Sequence, residues 1–195
     1  MKALRIGDGA LELKDIYRAV DEGCDAADRG DHATAIKLFS SAVDMGEDWV
    51  ALNLGNSYRD VGKVDMAQAA FERAWRVALD PDAGFNLALL LEDMGQIAKA
   101  RSVYQELIEA GYVKAMDVEA WYLHAEGDLR SAYALMEKAS ADPGPTGHYA
   151  AGVLGTWKWD DFKDLSAKPL LERGRDYFDD APQALEDLIC AIEGR

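Results

Sequence analysis

The chain of 195 residues carries 36 acidic and 21 basic side chains, a formal net charge of −15, and 49% of its residues are hydrophobic. Because nucleic acids and anionic membrane surfaces attract basic faces, this charge balance argues against both as partners. A basic protein or peptide remains compatible with it, although an acidic surface is also a common way for a protein to stay soluble.

The cysteines and the hydropathy pattern indicate a cellular compartment. Cys24 and Cys190 are far apart, form no CxxC pair and lie among apolar or small residues in helical stretches, so we expect buried free thiols in a reducing environment. The first residues have no secretory signal pattern, and no stretch approaches about 18 uninterrupted apolar residues. We therefore expect a soluble cytoplasmic protein.

The N-terminal part predicts a first helix after a short arm. Residues 1–9 are too short and glycine-rich to assign, and we take residues 1–15 as an arm with the start of the first helix. From about Ala10, apolar residues recur at helical spacing, which predicts a helix that ends near Gly30. Asp31 then has the position and chemistry of an N-cap for the next helix.

The segment 48–81 predicts an antiparallel helix pair. Two apolar stripes at helical spacing meet at Gly62, where a glycine ends one helix and lets the chain turn back. The stripe residues are Ala51, Leu54, Gly55 and Tyr58 before the turn, and Ala67, Ala70, Phe71, Ala74 and Trp75 after it. Small residues in both stripes allow the two backbones to approach closely.

The same pattern recurs along the chain. Glycines return at intervals of 32 or 33 residues, at Gly30, Gly62, Gly95 and Gly127. Alanines keep this spacing at Ala35, Ala67, Ala100 and Ala132, and a large apolar residue follows each one, at Phe39, Phe71, Tyr104 and Met136. Residues 16–143 are therefore predicted to be four degenerate copies of one helix-turn-helix unit.

This pattern resembles the tetratricopeptide repeat, W-x2-L-G-x2-Y followed by A-x3-F and P, with matches at Leu54, Gly55, Tyr58, Ala67, Phe71 and Pro81. The resemblance implies an all-α, right-handed α-α superhelix whose function is non-catalytic protein binding. The linkers at 43–52 and 109–116 are also close to those of Sel1-like repeats, a sister family. The choice between the two families stays open.

The C-terminal part, 144–195, is predicted to be a degenerate repeat with capping helices. Two prolines and two glycines at 141–147 interrupt the preceding helix. Helices are predicted at about 149–157, 168–177 and 181–192, the last covering the end of the stack. The aromatic group Trp157, Trp159 and Phe162 is predicted to be core of this cap, with a second binding surface as the alternative.

Signatures of enzyme, metal and cofactor sites are weak. His124 and Glu126 spell H-x-E, but the P-C-x-x-C that zinc deaminases require is absent. The acidic clusters at 160–164 and 179–180 are interpreted as solvated loop carboxylates. We expect no catalytic residues, no metal and no cofactor, and an enzyme of unknown type ranks third among the functional hypotheses.

The resemblance implies a concave groove lined by the first helix of each repeat, where an extended peptide or partner segment binds. Projected onto this chain, the partner-binding candidates are Trp49, Asn53, Asn56, Arg59, Phe85, Asn86, Lys114 and Trp121. The alternative for the three aromatic residues is packing between repeats. Co-chaperones of the family hold a carboxylate with five Lys, Asn and Arg side chains from three successive repeats. Asn56, Asn86 and Lys114 stand at three of these positions, but Leu52 and Val118 replace two of the three cations, so a full clamp is not expected.

Two further hypotheses remain for the partner. An inhibitory or immunity-type protein would use its acidic surface to neutralise a basic partner, with binding that weakens steeply as salt rises. Homo-oligomerisation through exposed repeat ends is also open.

Overall fold

A computed structural model describes residues 13–193, and within them the regular structure is helical, without β-strand. The predicted arm at 1–9 lies outside the described residues. The helices, numbered in chain order, are Leu13–Asp28 (α1), His32–Asp44 (α2), Ala51–Asp60 (α3), Val64–Arg76 (α4), Pro81–Asp93 (α5), Ile97–Glu109 (α6), Val113–Ala125 (α7), Leu129–Ser140 (α8), Pro145–Phe162 (α9), Lys168–Gly174 (α10) and Ala181–Glu193 (α11). The predicted all-α fold class is confirmed.

The turns inside the helix pairs are built as predicted. The recurring glycines lie between the two helices of each pair with φ between 72° and 85°, a conformation that costs glycine little and other residues more: Gly30, Gly62, Gly95 and Gly127. At one of these turns, the N–H of Lys63 donates to the Tyr58 carbonyl at 2.8 Å. This bond closes the end of α3 and reverses the chain.

Two helix starts show what local sequence decides. Asp31 caps α2 and accepts a hydrogen bond from the Thr34 N–H at 3.2 Å, as predicted. At α5 the N-cap is Asp80, which accepts from the N–H groups of Asp82 and Ala83, while Pro81 occupies the first helical position, where its missing N–H costs nothing.

The helix predicted at 149–157 is longer in the structure, because α9 begins at Pro145 and ends at Phe162. Pro145 is tolerated there as the first residue of a helix, so the proline-rich segment starts a helix as well as ending one. The next prediction, 168–177, was too long at its end, since α10 stops at Gly174. The last helix, α11, agrees with its predicted span to within one residue.

The chain divides into two compact units that meet between Val103 and Tyr104, inside α6. In the first unit, the core lies between paired helices and is rich in alanine and single large side chains, including Phe39, Val50 and Leu54. Phe71 of α4 is fully buried. Small residues bring the helices close together and the few large ones fill the remaining space.

In the second unit, α9 packs against α8, α10 and α11. A core cluster joins Trp159, Leu171 and Leu188 from three of these helices. Trp157 and Trp159 are buried, as the capping interpretation predicted, whereas Phe162 is 62% exposed. No helix within residues 13–193 is both long enough and apolar enough to cross a bilayer.

Candidate partner-binding groove

A cavity of about 350 Å³ lies between α1 and α3 in the first unit. Its walls come from Cys24, Ala27 and Asp28 of α1, Phe39 of α2, and Asn53, Asn56, Ser57, Arg59 and Asp60 of α3. We call this cavity the α1–α3 groove. It brings together three residues that the sequence predicted for partner binding: Asn53, Asn56 and Arg59.

Asn86 of α5 joins the groove through a side-chain contact. Its Nδ2 donates to Oδ1 of Asn56 at 3.1 Å, and both side chains are half-buried. Each carboxamide has two N–H donors and one carbonyl acceptor, so this single bond leaves both N–H groups of Asn56 and the carbonyl of Asn86 without a hydrogen bond within residues 13–193. A donor and an acceptor side by side match the two polar groups of a peptide backbone.

Asn53 of α3 and Cys24 of α1 also line the groove and contact each other across it. Nδ2 of Asn53 lies 3.8 Å from Sγ of Cys24, within reach of a weak hydrogen bond to sulfur. Cys24 is half-buried, so the expected fully buried thiol is instead part of the groove. Burial and then the charges of Asp21, Asp28 and Asp25 raise the pKa of this thiol, which keeps it in the unreactive thiol form.

An aromatic pair lies at the start of α1 and α3. The rings of Tyr17 and Trp49 stack with centroids 5.9 Å apart, and both remain exposed, at 51% and 42%. Trp49 belongs to a 3-10 turn whose Asp48 carboxylate accepts a hydrogen bond from Arg73 at 2.6 Å. The predicted anchor therefore contacts a neighbouring helix pair and still presents surface to a ligand.

One end of the groove is charged. Arg59 and Asp60 close α3 there, with Nε of Arg59 3.9 Å from the Asp60 carboxylate. Asp28 ends α1 on the same cavity. His32 lies beside it, its Nδ1 3.9 Å from Asp60. The groove thus changes from amide to charged side chains towards the ends of α1 and α3, and the Tyr17–Trp49 pair lies outside its walls.

The remaining candidates have different positions. Phe85 of α5 is half-buried. Lys114 and Trp121 belong to α7 in the second unit. Lys114 is exposed, with its ammonium 5.6 Å from the centroid of the Tyr112 ring. Trp121 is 38% exposed and meets Trp157 edge-on with centroids 4.9 Å apart.

The prediction that the acidic cluster at 160–164 lies in a loop was wrong for Asp160 and Asp161, which belong to α9. Asp161 lies inside α9 and its Oδ2 binds two side chains, the Tyr133 hydroxyl at 2.8 Å and Nε2 of His124 at 3.1 Å. Burial, followed by the bond to Asp161, raises the pKa of Tyr133 above its ordinary value. His124 of the H-x-E triplet is thus engaged in a side-chain network that also stacks on Trp157 at 4.1 Å.

Several groove residues were missed at the sequence level. Ala27, Asp28, Ser57 and Asp60 line the cavity without having been named as candidates. Asp28 and Asp60 lie one helical turn after Cys24 and Asn56, so continuing the i, i+4 spacing to the helix ends would have found them. A second cavity, of about 300 Å³, lies between α2, α3 and α4 and contains none of the predicted residues.

Comparison with known proteins identifies the repeat type of the central segment. Residues 52–111 match the family model described as tetratricopeptide repeat. These residues therefore carry tetratricopeptide repeats. This match covers the helix pair α3–α4 and the following α5 and α6, where the sequence pattern is most regular. Proteins of this family are in general non-enzymatic interaction modules, and this chain carries such a module.

Solved structures of tetratricopeptide repeat proteins have the same fold at low identity. The C-terminal part of a repeat protein from Cytophaga hutchinsonii is 16% identical, with a TM-score of 0.62 over 90% of this chain and 72% of that one. The protein YrrB is 21% identical, with a TM-score of 0.53 over 87% and 89%. A kinesin light chain-like repeat protein from Podosopora anserina is 16% identical, with a TM-score of 0.56 over 84% and 94%. The curated proteins give no match.

Proposed function

We propose that this protein binds an extended segment of a partner protein in the α1–α3 groove. The observation that carries the proposal is the Asn56–Asn86 pair, which presents a donor and an acceptor next to a cavity of about 350 Å³. An extended peptide needs backbone partners of this kind, since each of its residues has one N–H and one carbonyl to satisfy.

The distance from the aromatic pair to the charged end of the groove sets the length of the bound segment. From Tyr17 to Asp28, α1 rises about 16 Å at 1.5 Å per residue. An extended chain advances about 3.3 Å per residue, so about five residues span the distance from the aromatic pair, which lies outside the cavity, to Asp28 in its wall. The two ends of this span suggest their order. An apolar side chain packs on the Tyr17–Trp49 pair, and a polar or charged one lies near Arg59 and Asp60.

The family and its structures support this assignment. Tetratricopeptide repeat proteins bind proteins or peptides, and the structure of YrrB is described as showing an unusual peptide-binding site. The groove proposed here has the amides Asn56 and Asn86, but the chain carries Leu52 and Val118 in place of two cations of a carboxylate clamp. We therefore expect recognition of backbone and of internal residues, without dependence on a free C-terminal carboxylate.

Binding of peptides selected against the intact protein tests the proposal. The selected peptides are then measured by fluorescence polarisation against Asn56→Ala, Asn86→Ala and the double variant. Loss of two hydrogen bonds is expected to weaken binding about 5- to 100-fold. Gln68→Ala serves as the matched control, because Gln68 is an amide on α4 that bonds Glu72 outside the groove. Equal affinity of the double variant and the wild type contradicts the groove model.

The role of the peptide backbone has a separate test. Methylation of single backbone N–H groups along a selected peptide is expected to abolish binding at one or two positions and to leave the others unchanged. Uniform tolerance of methylation would mean that side chains alone hold the peptide.

A further inference from the structure

A buried carboxylate in the second unit lacks the partner that such a group requires. Asp117 lies in the middle of α7, and its Oδ1 is buried with no hydrogen-bond partner within the described residues. The residue as a whole is half-buried, so part of Asp117 remains accessible. Burial raises the pKa of Asp117 to about 6, and near pH 7 the group is still mostly ionised.

Two aromatic side chains flank this carboxylate. Trp121 follows one helical turn later on the same face of α7. Tyr149 comes from α9, which packs against α7. Its pKa is raised first by burial and then by the charge of Asp117. A hydrogen bond with the Trp121 side chain lowers the pKa of the same Tyr149 hydroxyl. Asp117, Trp121 and Tyr149 therefore form one local cluster.

The charge around this cluster is negative. Asp179 and Asp180, which precede α11, also raise the pKa of Tyr149. Lys114 lies one turn before Asp117, with its ammonium over the Tyr112 ring at 5.6 Å. The Asp117 carboxylate thus has an unsatisfied acceptor oxygen in a region where the charges of Asp117, Asp179 and Asp180 all raise the pKa of Tyr149.

A bound cation would suit both the unpaired carboxylate oxygen of Asp117 and the aromatic rings beside it. A guanidinium or ammonium group donates charge-assisted hydrogen bonds to a carboxylate, and it is attracted to the faces of indole and phenol rings. Trp121 keeps 38% of its surface exposed, and buried Trp157 holds it edge-on. The formal charge of −15 further attracts basic ligands at long range.

We propose that Asp117, Trp121 and Tyr149 form a pocket for one arginine or lysine side chain of a partner protein. The side chain's cationic head pairs with the Asp117 carboxylate, and its stem lies along the Trp121 indole. This pocket gives the protein a preference for basic partners that is independent of the amide pair in the α1–α3 groove.

The test follows the Trp121 indole N–H in NMR spectra of the intact labelled protein, with the peak assigned by Trp121→Phe. The probes are N-acetyl-arginine amide and N-acetyl-lysine amide, and N-acetyl-citrulline amide is the control because it has nearly the shape of arginine without its charge. At least one cationic probe is expected to bind about fivefold or more tightly than citrulline. Equal responses to all three probes overturn the proposal.

Two variants and one matched control test whether the cation binds at this pocket. Asp117→Asn should reduce cation binding to the citrulline level, while Glu186→Gln, which removes an exposed charge on α11, should leave it unchanged. Tyr149→Leu keeps Asp117 and should weaken cation binding at least about threefold. If Asp117→Asn or Tyr149→Leu still binds the cation as the wild type does, or if Glu186→Gln abolishes the preference, the pocket assignment is wrong. Asn56→Ala and Asn86→Ala should not affect this binding, which separates it from the groove.

Discussion

Gly55 of α3 lies directly against the ring of Phe71 in α4. A Cβ atom at Gly55 would be 2.5 Å from both Cδ1 and Cε1 of that ring, closer than any real contact. The preceding pair repeats the relationship, since a Cβ at Gly23 would lie 2.6 Å from Cε1 of Phe39. The close approach of the two helices in each of these pairs therefore depends on a glycine facing a phenylalanine.

Gly55→Ala should destabilise the protein through this contact. Overpacking a buried site costs about 1–3 kcal/mol, while replacing a helical glycine by alanine gains about 0.5–1 kcal/mol, so we expect a net loss of roughly 1–2 kcal/mol. Urea unfolding measures the change. In a Phe71→Leu background, the same substitution should cost less, because the smaller side chain can move away. A stability gain in the wild-type background would show that Phe71 does not restrict this site.

Gly95→Ala tests the turn between α5 and α6. Gly95 has φ of +72° and no atom within 4 Å of an added Cβ, so the whole penalty comes from the backbone conformation. We expect a loss of about 1–2 kcal/mol for alanine and a smaller one for asparagine, which adopts this conformation more readily. Thermal or urea unfolding of the two variants gives the comparison. If asparagine is the more damaging of the two, the backbone explanation fails.

Asp80→Ala should weaken the start of α5. The Asp80 carboxylate accepts hydrogen bonds from two otherwise unpaired N–H groups, and loss of such a cap costs about 0.5–2 kcal/mol. Asp65→Ala is the matched control, since Asp65 lies in the first turn of α4 without capping it. Both variants lose one negative charge. An equal effect in unfolding experiments would attribute the loss to charge alone.

Asp117 should make stability depend on pH in an unusual direction. Its pKa is about 6 in the folded protein and near 3.8 in the unfolded chain, so between these values the folded state holds more protons and the free energy of unfolding falls as pH rises. Above pH 6, the ionised Asp117 lowers the free energy of unfolding by an amount on the order of 2–3 kcal/mol. Asp117→Asn should therefore exceed the wild type in stability at pH 7.5 and equal it near pH 4.

The comparison of Asp117→Asn with the wild type isolates the Asp117 charge, because the charged and titratable groups around it stay the same. Tyr149 of α9, Asp179 and Asp180 before α11, and Lys114 of α7 are unchanged by the variant. The helix-capping carboxylates have the opposite effect, because hydrogen bonds lower the pKa of Asp31, Asp128 and Asp164, and their contribution is lost as pH falls. Their contributions cancel in the difference between variant and wild type. A less stable Asp117→Asn protein at pH 7.5 would mean that Asp117 has a stabilising partner.

The candidate groove was predictable in part. Asn53, Asn56 and Arg59 share one helix, and the 3.6-residue period of α3 is enough to place them on one face. The bond from Asn86 to Asn56 was not predictable, since a contact between residues 30 positions apart depends on how two helices pack. The same reason explains Asp161, which local composition indicates as a solvated carboxylate and which tertiary contacts place against His124 and Tyr133.

The sequence by itself determined the helices, their pairing and the repeat, because these depend on contacts within about 35 residues and on glycines that can adopt positive φ. Only the tertiary structure decided which polar side chains find partners and which stay unsatisfied. In the sequence, Asp117, Trp121 and Tyr149 form no recognisable binding motif. When α7 packs against α9, burial removes water from the Asp117 carboxylate and leaves one of its oxygens without a hydrogen-bond donor.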